Sequence, residues 1–286
     1  MVKSASDRWF SIVMYGFLAA VGLSVLFPLL YVASVSLTPY SEVMKHGGFL
    51  IIPKEVTFAA YRELWKQPFI FQAFNITVFI TLVGTLLNLA LTALMAYPLS
   101  RKDLPLRSLW LMMVVFTLIF NGGIIPTYLI VQATGLLDSV WAMIIPNAIW
   151  SFNLLILKSF FENLPKELFE SARIDGAHEF RVLLQIVVPL SVPALITVGL
   201  FYGVGHWNEF FQAIMYTTKP DLKPLQVIVY NLLMRSQGLM DNPDEVIPTL
   251  TLQMAAVLYA ALPIIVVYPF IQKYLTKGMI LGSIKG

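Results

Sequence analysis

Glu167-Leu168-Phe169-Glu170-Ser171-Ala172-Arg173-Ile174-Asp175-Gly176-Ala177, closing on Ile186-Val187-Val188-Pro189, decides how the rest of this chain is read. The stretch is polar and helix-forming, yet it lies between long apolar runs that carry almost no charge. It belongs to a loop, about 159–189, after which the apolar pattern resumes at Pro189-Leu190-Ser191-Val192-Pro193. A polar interruption of that length between membrane-length segments needs a task on the water side.

Working outward, the chain has 286 residues, of which 58% are hydrophobic and 12% charged, so a soluble domain is excluded. Apolar runs longer than about 18 residues read as membrane helices. Such runs place spans near 11–36, 69–98, 108–133, 137–158, 190–216 and 249–272. Closed barrels are excluded, because the runs are too long and do not alternate. The fold class is an all-α membrane protein, a bundle of six transmembrane helices. The first span begins early but runs well past a signal-peptide core and lacks a small-residue cleavage site, so it is read as retained.

Several chemistries have no residues to carry them. There is no cysteine, hence no disulfide and no thiol-ligated metal. His46, His178 and His206 lie far apart and make no His-Glu-x-x-His zinc motif, so no metal site is expected. No Gly-Lys dipeptide exists to build a phosphate-cradling loop, so this chain is not expected to hydrolyse ATP itself. No Gly-x-Ser-x-Gly turn supports a nucleophile, and no catalytic residue is assigned. Transport is the remaining economical task.

Lys and Arg bias sets the orientation. With the N-terminus inside, Lys3, Arg8, Arg101, Lys102, Arg107, Lys158, Lys166, Arg173, Arg181, Lys273, Lys277 and Lys285 are cytoplasmic, which is 12 of the 19 basic residues. The other seven, among them Lys45, Lys54 and Lys219, fall outside. Both termini are therefore placed in the cytoplasm. The formal charge of +3 reports this topology and not a nucleic-acid surface. Residues 1–68 read as an arm helix with an outer loop, 69–272 as the membrane core, and 273–286 as a cytoplasmic tail. A second long outer segment, about 217–248, contains Pro220, Pro224 and Pro243.

Within the opening stretch, Pro165 suits the first turn of a helix, and Leu168, Phe169 and Ala172 then share a face. Lys166, Glu170 and Arg173 lie on another face, at spacings that allow mutual pairing. Gly176 is placed to end the helix, and Asp175 to cap the next one. The result is an amphipathic knob that suits a protein cleft; a helix lying in the lipid headgroups is the plainer alternative.

Glu170-Ser171-Ala172, three residues, Gly176, nine residues, then Ile186 with Pro189 resembles the EAA loop of binding-protein-dependent ABC importer permeases. Ser171 and Val188 depart from the pattern by small or aliphatic exchanges. Trp207-Asn208-Glu209-Phe210-Phe211 and the ending Lys277-Gly278-Met279 through Gly286 resemble the carbohydrate-uptake group, that of the maltose permease subunits. Phe120-Asn121-Gly122-Gly123 through Tyr128 is similar to a subgroup associated with oligosaccharides, including plant-wall and uronate-containing ones.

The resemblance implies a type I ABC importer transmembrane domain in a bacterial cytoplasmic membrane, forming half of a translocation path. It implies a second, related permease, two cytosolic ATPase subunits that bind Mg-ATP, an extracytoplasmic solute-binding protein and an oligosaccharide substrate. The knob, with Leu168, Phe169, Glu170, Ser171, Ala172, Asp175, Gly176 and Ala177, is then the ATPase-coupling element. In it Glu170 supplies an anchoring charge, and Leu168 and Phe169 an apolar plug. A permease for another small solute and an ion-coupled carrier remain the alternatives.

Glu209 is the one acidic residue well inside an apolar run, about 7–8 Å outward of the middle of the fifth span at helical rise. A carboxylate at that depth must face water or a partner. Tyr202, His206, Glu209 and Ala213 are expected on one helical face, with Asn208 and Gln212 at its edge. Asn121 and Asn147 sit near mid-depth beside Gly122-Gly123 and Pro146. For Glu209 the readings are a gate and a structural tie; for the two amides, a water-lined path and hydrogen bonding between helices. For Tyr202 and Trp207 they are stacking on sugar and ordinary packing. Gly199 and Gly203 form a pair that permits close helix approach.

Overall fold

The structure, a computed structural model, describes residues 5–236 and 249–283, with side chains over 9–235 and 249–269. Pro243, the last three residues, Lys3 and the side chains of Arg8, Lys273 and Lys277 lie outside the described residues. All regular structure among the described residues is helical. In chain order come α1 (Ala5–Ser36), α2 (Tyr40–Lys45), α3 (Ala59–Lys66) and α4 (Pro68–Phe79), which passes through a π turn, Ile80–Gly84, into α5 (Thr85–Ser100). Next are α6 (Arg107–Ile119), α7 (Ile124–Ala133), 3-10 turns at Val140–Met143 and Ile145–Asn147, and α8 (Ser151–Glu162). The knob is α9 (Lys166–Ile174). After it come α10 (Glu179–Val182), a π turn at Leu183–Val187, α11 (Val188–Leu190), α12 (Val192–Trp207), α13 (Phe211–Tyr216), α14 (Leu225–Ser236) and α15 (Leu250–Ser283).

Among the described residues, three segments are single helices long and apolar enough to span: Trp9–Ser36, Pro68–Ser100 and Leu250–Pro269. The other three expected spans are bent pairs. Arg107–Ile119 and Ile124–Ala133 meet at 114°, Val140–Asn147 and Ser151–Glu162 at 53°, and Glu179–Leu190 and Val192–Trp207 at 86°. Glycine and proline explain the first two bends: Gly123 takes φ +94°, and Pro146 lacks the N–H an α-helix would use. The fifth span therefore departs from the continuous 190–216 helix expected. It begins at Glu179, turns at Ser191 between Pro189 and Pro193, and ends at Trp207, with α13 a separate helix.

The chain divides into two compact units, residues 1–70 with 229–262, and residues 71–228 with 263–286. This differs from the linear division at 68/69, since 229–262 joins the first unit. In that unit the outer loop folds back on the end of α1: Tyr31 Oη donates to Gly48 O at 2.9 Å, and its ring stacks on Phe49 with centroids 5.5 Å apart. Thr57 N donates to Leu37 O at 2.7 Å, and Ser36 Oγ meets Tyr61 Oη at 2.8 Å.

In the second unit α5 packs along α8 and α12. The core holds Tyr97, Leu154, Leu157, Phe161, Val187, Val198 and Tyr202, and it continues into the knob through Phe169 and Ala172. Their partners lie on helices far apart in sequence, which is why one apolar composition yields a packed interior on this side and large exposed apolar faces elsewhere. Ile119, at 82% exposure, and Ile125, at 73%, belong to the faces left for lipid or a second chain.

Candidate coupling surface and translocation path

α9 is built by local chemistry. Pro165 precedes it with φ −55° and ψ 132°, extended backbone that starts the helix without a wasted N–H. At the other end Ala177 N donates to Ala172 O at 2.9 Å and Gly176 N to Arg173 O at 3.0 Å, while Gly176 takes φ +73°. This is the Schellman closure, in which a glycine in the left-handed region lets two terminal carbonyls be satisfied. Asp175 is the C-cap residue of α9, and the N-cap of α10 is His178 with no side-chain cap, so Asp175 does not cap the next helix as expected.

The amphipathic stripe faces inward. Phe169 and Ala172 are buried in the chain's own core, and the Arg101 guanidinium lies 4.4 Å from the centre of the Phe169 ring. This corrects the apolar plug: Phe169 anchors the knob to its own chain, and Leu168 is half-buried beside it. The outward ridge consists of Glu167, Glu170, Ser171, Ile174, Asp175 and Gly176, with Ile174 at 86% exposure. Ala177 is half-buried.

Arg173 does not pair with Glu170 as expected. Its Nη2 donates to Asp103 Oδ2 at 3.2 Å and to Glu179 Oε1 at 3.0 Å. Glu179 Oε2 in turn accepts from Tyr97 Oη, and Arg101 Nε lies 3.6 Å from Asp103 Oδ1. The Arg173 hydrogen bond holds the Asp103 carboxyl below its ordinary value. A neighbouring tie joins Arg107 Nη2 to Glu162 at 2.8 Å, with Lys158 on the same carboxylate.

Deeper in the second unit, two of the expected path residues form a polar seam with α5. Tyr202 is fully buried; its hydroxyl meets Thr92 Oγ1 at 2.7 Å and accepts Trp150 N at 3.0 Å. His206, also buried, contacts Asn88 Nδ2 through Nε2 at 2.9 Å. Trp207 is buried with its ring edge-on to Phe74, centroids 6.1 Å apart. The Tyr202 and Trp207 rings therefore pack inside the chain in this conformation. Gly203 faces Thr85 and Gly199 faces Leu89, so the expected close approach is to α5.

Glu209 leaves the shared face because α12 ends two residues before it. Asn208 is the C-cap, its Nδ2 returning to Val204 O at 2.9 Å, and it is exposed. Glu209 Oε1 accepts Gln212 N at 3.0 Å, so its half-buried carboxylate caps the start of α13 and is not tied to His206. Asn147 is exposed in the 3-10 turn, and its Nδ2 meets the Gln212 amide oxygen when that amide's nitrogen donates to Met143 O at 3.2 Å and Ala142 O at 3.3 Å. α13 packs on the Val140–Met143 turn and on α7, which brings the gap after α12 close to the first half of the fourth span. Asn121 is exposed in the third break, where its Oδ1 accepts Gly123 N at 2.9 Å.

Irregular backbone at membrane depth is tolerated only where protein covers it or water reaches it. The gaps after α6, before α8 and after α12 each carry an amide or carboxylate side chain that is exposed or half-buried, Asn121, Asn147 and Asn208 with Glu209.

Sequence reasoning missed Asp103, Glu179, Tyr97, Asn88 and Thr92, each of which has a partner 70 or more residues away. It also missed Asp138, in the turn just before the fourth span starts at Val140. The Asp138 carboxylate accepts Thr218 N at 2.6 Å and Lys219 N at 3.2 Å, and its own N–H donates to Tyr216 O at 2.9 Å. The Thr218 backbone bond holds this carboxyl below its ordinary value. The available signal was a polar Asp138-Ser139 pair just after Gly135 between two apolar runs; the structure gives Asp138 φ +56° there.

Comparison with known proteins sets this geometry in a family. The model of the family described as "Binding-protein-dependent transport system inner membrane component" matches residues 68–281. The chain is 41% identical to the "Polygalacturonan/rhamnogalacturonan transport system permease protein YtcP" of Bacillus subtilis (strain 168), over 98% of this chain and 99% of that one. It is also 41% identical to "Protein LplC" of the same organism, over 100% and 98%. Among solved structures, a bacterial ABC transporter involved in the import of the acidic polysaccharide alginate contains a similar chain. That likeness has a TM-score of 0.88 and 29% identity, and covers 96% of this chain and 99% of that chain. With the family model covering well over half of its length, the chain belongs to the inner-membrane components of binding-protein-dependent transport systems.

Proposed function

We propose that this chain is one permease subunit of an ATP-driven importer, forming half of the path for an oligosaccharide and coupling that path to a cytosolic ATPase. The observation that carries the reading is α9: a short helix pinned to its own core through Phe169 and Ala172, with Glu170, Ser171 and Ile174 turned outward. A helix anchored on one face and open on the other suits a partner's cleft, and movement of that partner reaches the spans through the anchor.

The chain supplies no phosphate-binding loop, so ATP is bound by two partner subunits seated on the knobs of this permease and of a related second one. An extracytoplasmic binding protein delivers the saccharide to the outer loops. The path runs past the breaks at Asn121, Asn147 and Asn208–Glu209, whose amides and carboxylate match the hydroxyl groups of a sugar. The relatives named for polygalacturonan/rhamnogalacturonan and for alginate support a saccharide cargo, and within it one bearing carboxylates.

The chain is free of cysteine, so single substitutions report cleanly. Ile174→Cys on the outward ridge is expected to cross-link to a co-expressed ATPase subunit carrying a cysteine in its membrane-facing groove, whereas Phe169→Cys is not. Cross-linking from neither position, with the chain inserted and the ATPase present, would remove α9 as the docking element.

A further inference from the structure

We infer that Arg173 is a positioning residue that passes movement of α9 to the helices on either side, by gripping Asp103 in the α5–α6 turn and Glu179 at the head of α10 at once. The inference rests on the proposed docking of an ATPase subunit on the outward ridge of α9.

The geometry is a closed ring drawn from four segments. Arg173 on α9 reaches Asp103 at 3.2 Å and Glu179 at 3.0 Å, with Nε adding a second approach to Glu179 Oε1 at 3.3 Å. Glu179 is returned to α5 by Tyr97, and Asp103 to the end of α5 by Arg101 at 3.6 Å. Arg101 closes the ring over Phe169, the anchor of α9 itself. α10 leads directly through the Leu183–Val187 turn and α11 into α12, so Glu179 is the first residue of the fifth span. Whatever displaces α9 therefore pulls on α5 and on the fifth span through this side chain as well as through the Phe169 anchor.

Stability is a poor reason for this ring. The Arg173, Asp103 and Glu179 side chains are 47%, 60% and 54% exposed, and ion pairs that water screens this well contribute little to folding. A planar guanidinium with two acceptors at nearly equal distance can instead keep one while yielding the other, which gives discrete positions to a moving link. A groove of ≈ 430 Å³, lined by Leu94, Pro98, Leu104 and Phe180 together with the ring's own charges, opens beside it and leaves room for that motion.

The test uses the whole complex in proteoliposomes, reading ATPase subunit recovered, ATP turnover and saccharide taken up per ATP. For Arg173→Gln, recovery and turnover are expected to hold. Uptake per ATP is expected to fall about tenfold, within the range usual for coupling between separated sites. Glu179→Gln should show the same split, the double variant should be no worse than either single, and Arg173→Lys should recover part of the ratio. An unchanged ratio in Arg173→Gln overturns the inference, as does a double variant whose loss multiplies those of the singles. Loss of the ATPase subunit from Arg173→Gln alone also overturns it, because Arg173 would then be a docking contact. Should Arg173→Gln fail to insert, Asp103→Asn must lower the ratio, and a normal ratio there overturns it equally. If the unaltered chain recovers no ATPase subunit, the proposed function fails first and this inference with it.

Discussion

A Cβ at Gly84 would lie 2.7 Å from His206 Nε2 and 2.9 Å from two carbons of the same ring, which Asn88 holds in place. The π turn at Ile80–Gly84 and the missing side chain together make room for an imidazole between two spans. Gly84→Ala should therefore destabilise the second unit by about 1–3 kcal/mol, the usual cost of overpacking. The check is the thermal unfolding midpoint in detergent; Gly199→Ala, whose new methyl meets only Leu89 at 3.6 Å, serves as the tolerated control. Equal midpoints for the two would contradict the packing described. Asp138 makes a second residue-scale prediction. Its folded pKa is depressed, so its clamp on Thr218 is fully present above the ordinary carboxyl value and is lost only as pH falls through the depressed one. Protection of the Thr218 amide from hydrogen exchange, corrected for intrinsic rate, should persist down to about pH 4, the ordinary Asp value. Loss of protection well above that pH would show that the clamp is absent in solution.

At the scale of elements, the sequence was legible wherever structure is locally encoded. Gly176 comes after a periodic helix at the spacing a Schellman closure needs, and the backbone conformation there depends on no distant residue. The apolar runs named the spans for the same reason. Bends at Ser191 and beyond Trp207 were not legible, because an apolar composition is indifferent to where a helix axis turns, and Glu209 was consequently placed on a face it does not share. Phe169 illustrates another limit: periodicity identifies an apolar face but not what covers it. The partners of Arg173 depended on Asp103, 70 residues earlier, which no local pattern reports. The breaks carry the prediction at this scale. Asn121→Cys and Asn147→Cys should react with a small charged thiol reagent in at least one nucleotide state, because both residues are exposed and the proposed path runs past them. Tyr202→Cys, deep in the α5–α12 seam, should stay unreactive in all states. Reactivity at 202 with silence at 121 and 147 would move the path to the other side of α12.

Across the whole molecule, the inward-anchored knob, the ring of charges above it and the three broken spans all belong to the second compact unit, residues 71–228 with 263–286. Under the proposed function, lever and path are thus built from one packed body, in which α5 takes part both in the seam with α12 and in the ring. On the proposed function, such a body responds as a bistable element when partner subunits close on its cytoplasmic side. An ion-coupled carrier would need its own paired charges inside the membrane; here the carboxylate expected at depth, Glu209, is committed to capping α13. The direct measurement is uptake of a labelled oligogalacturonate into proteoliposomes holding this chain, its partner permease, both ATPase subunits and the binding protein. Uptake should require ATP inside the vesicles and binding protein outside, vanish when either is withheld, and ignore imposed proton or sodium gradients. Gradient-driven uptake by the permeases alone, without ATP, would contradict the account.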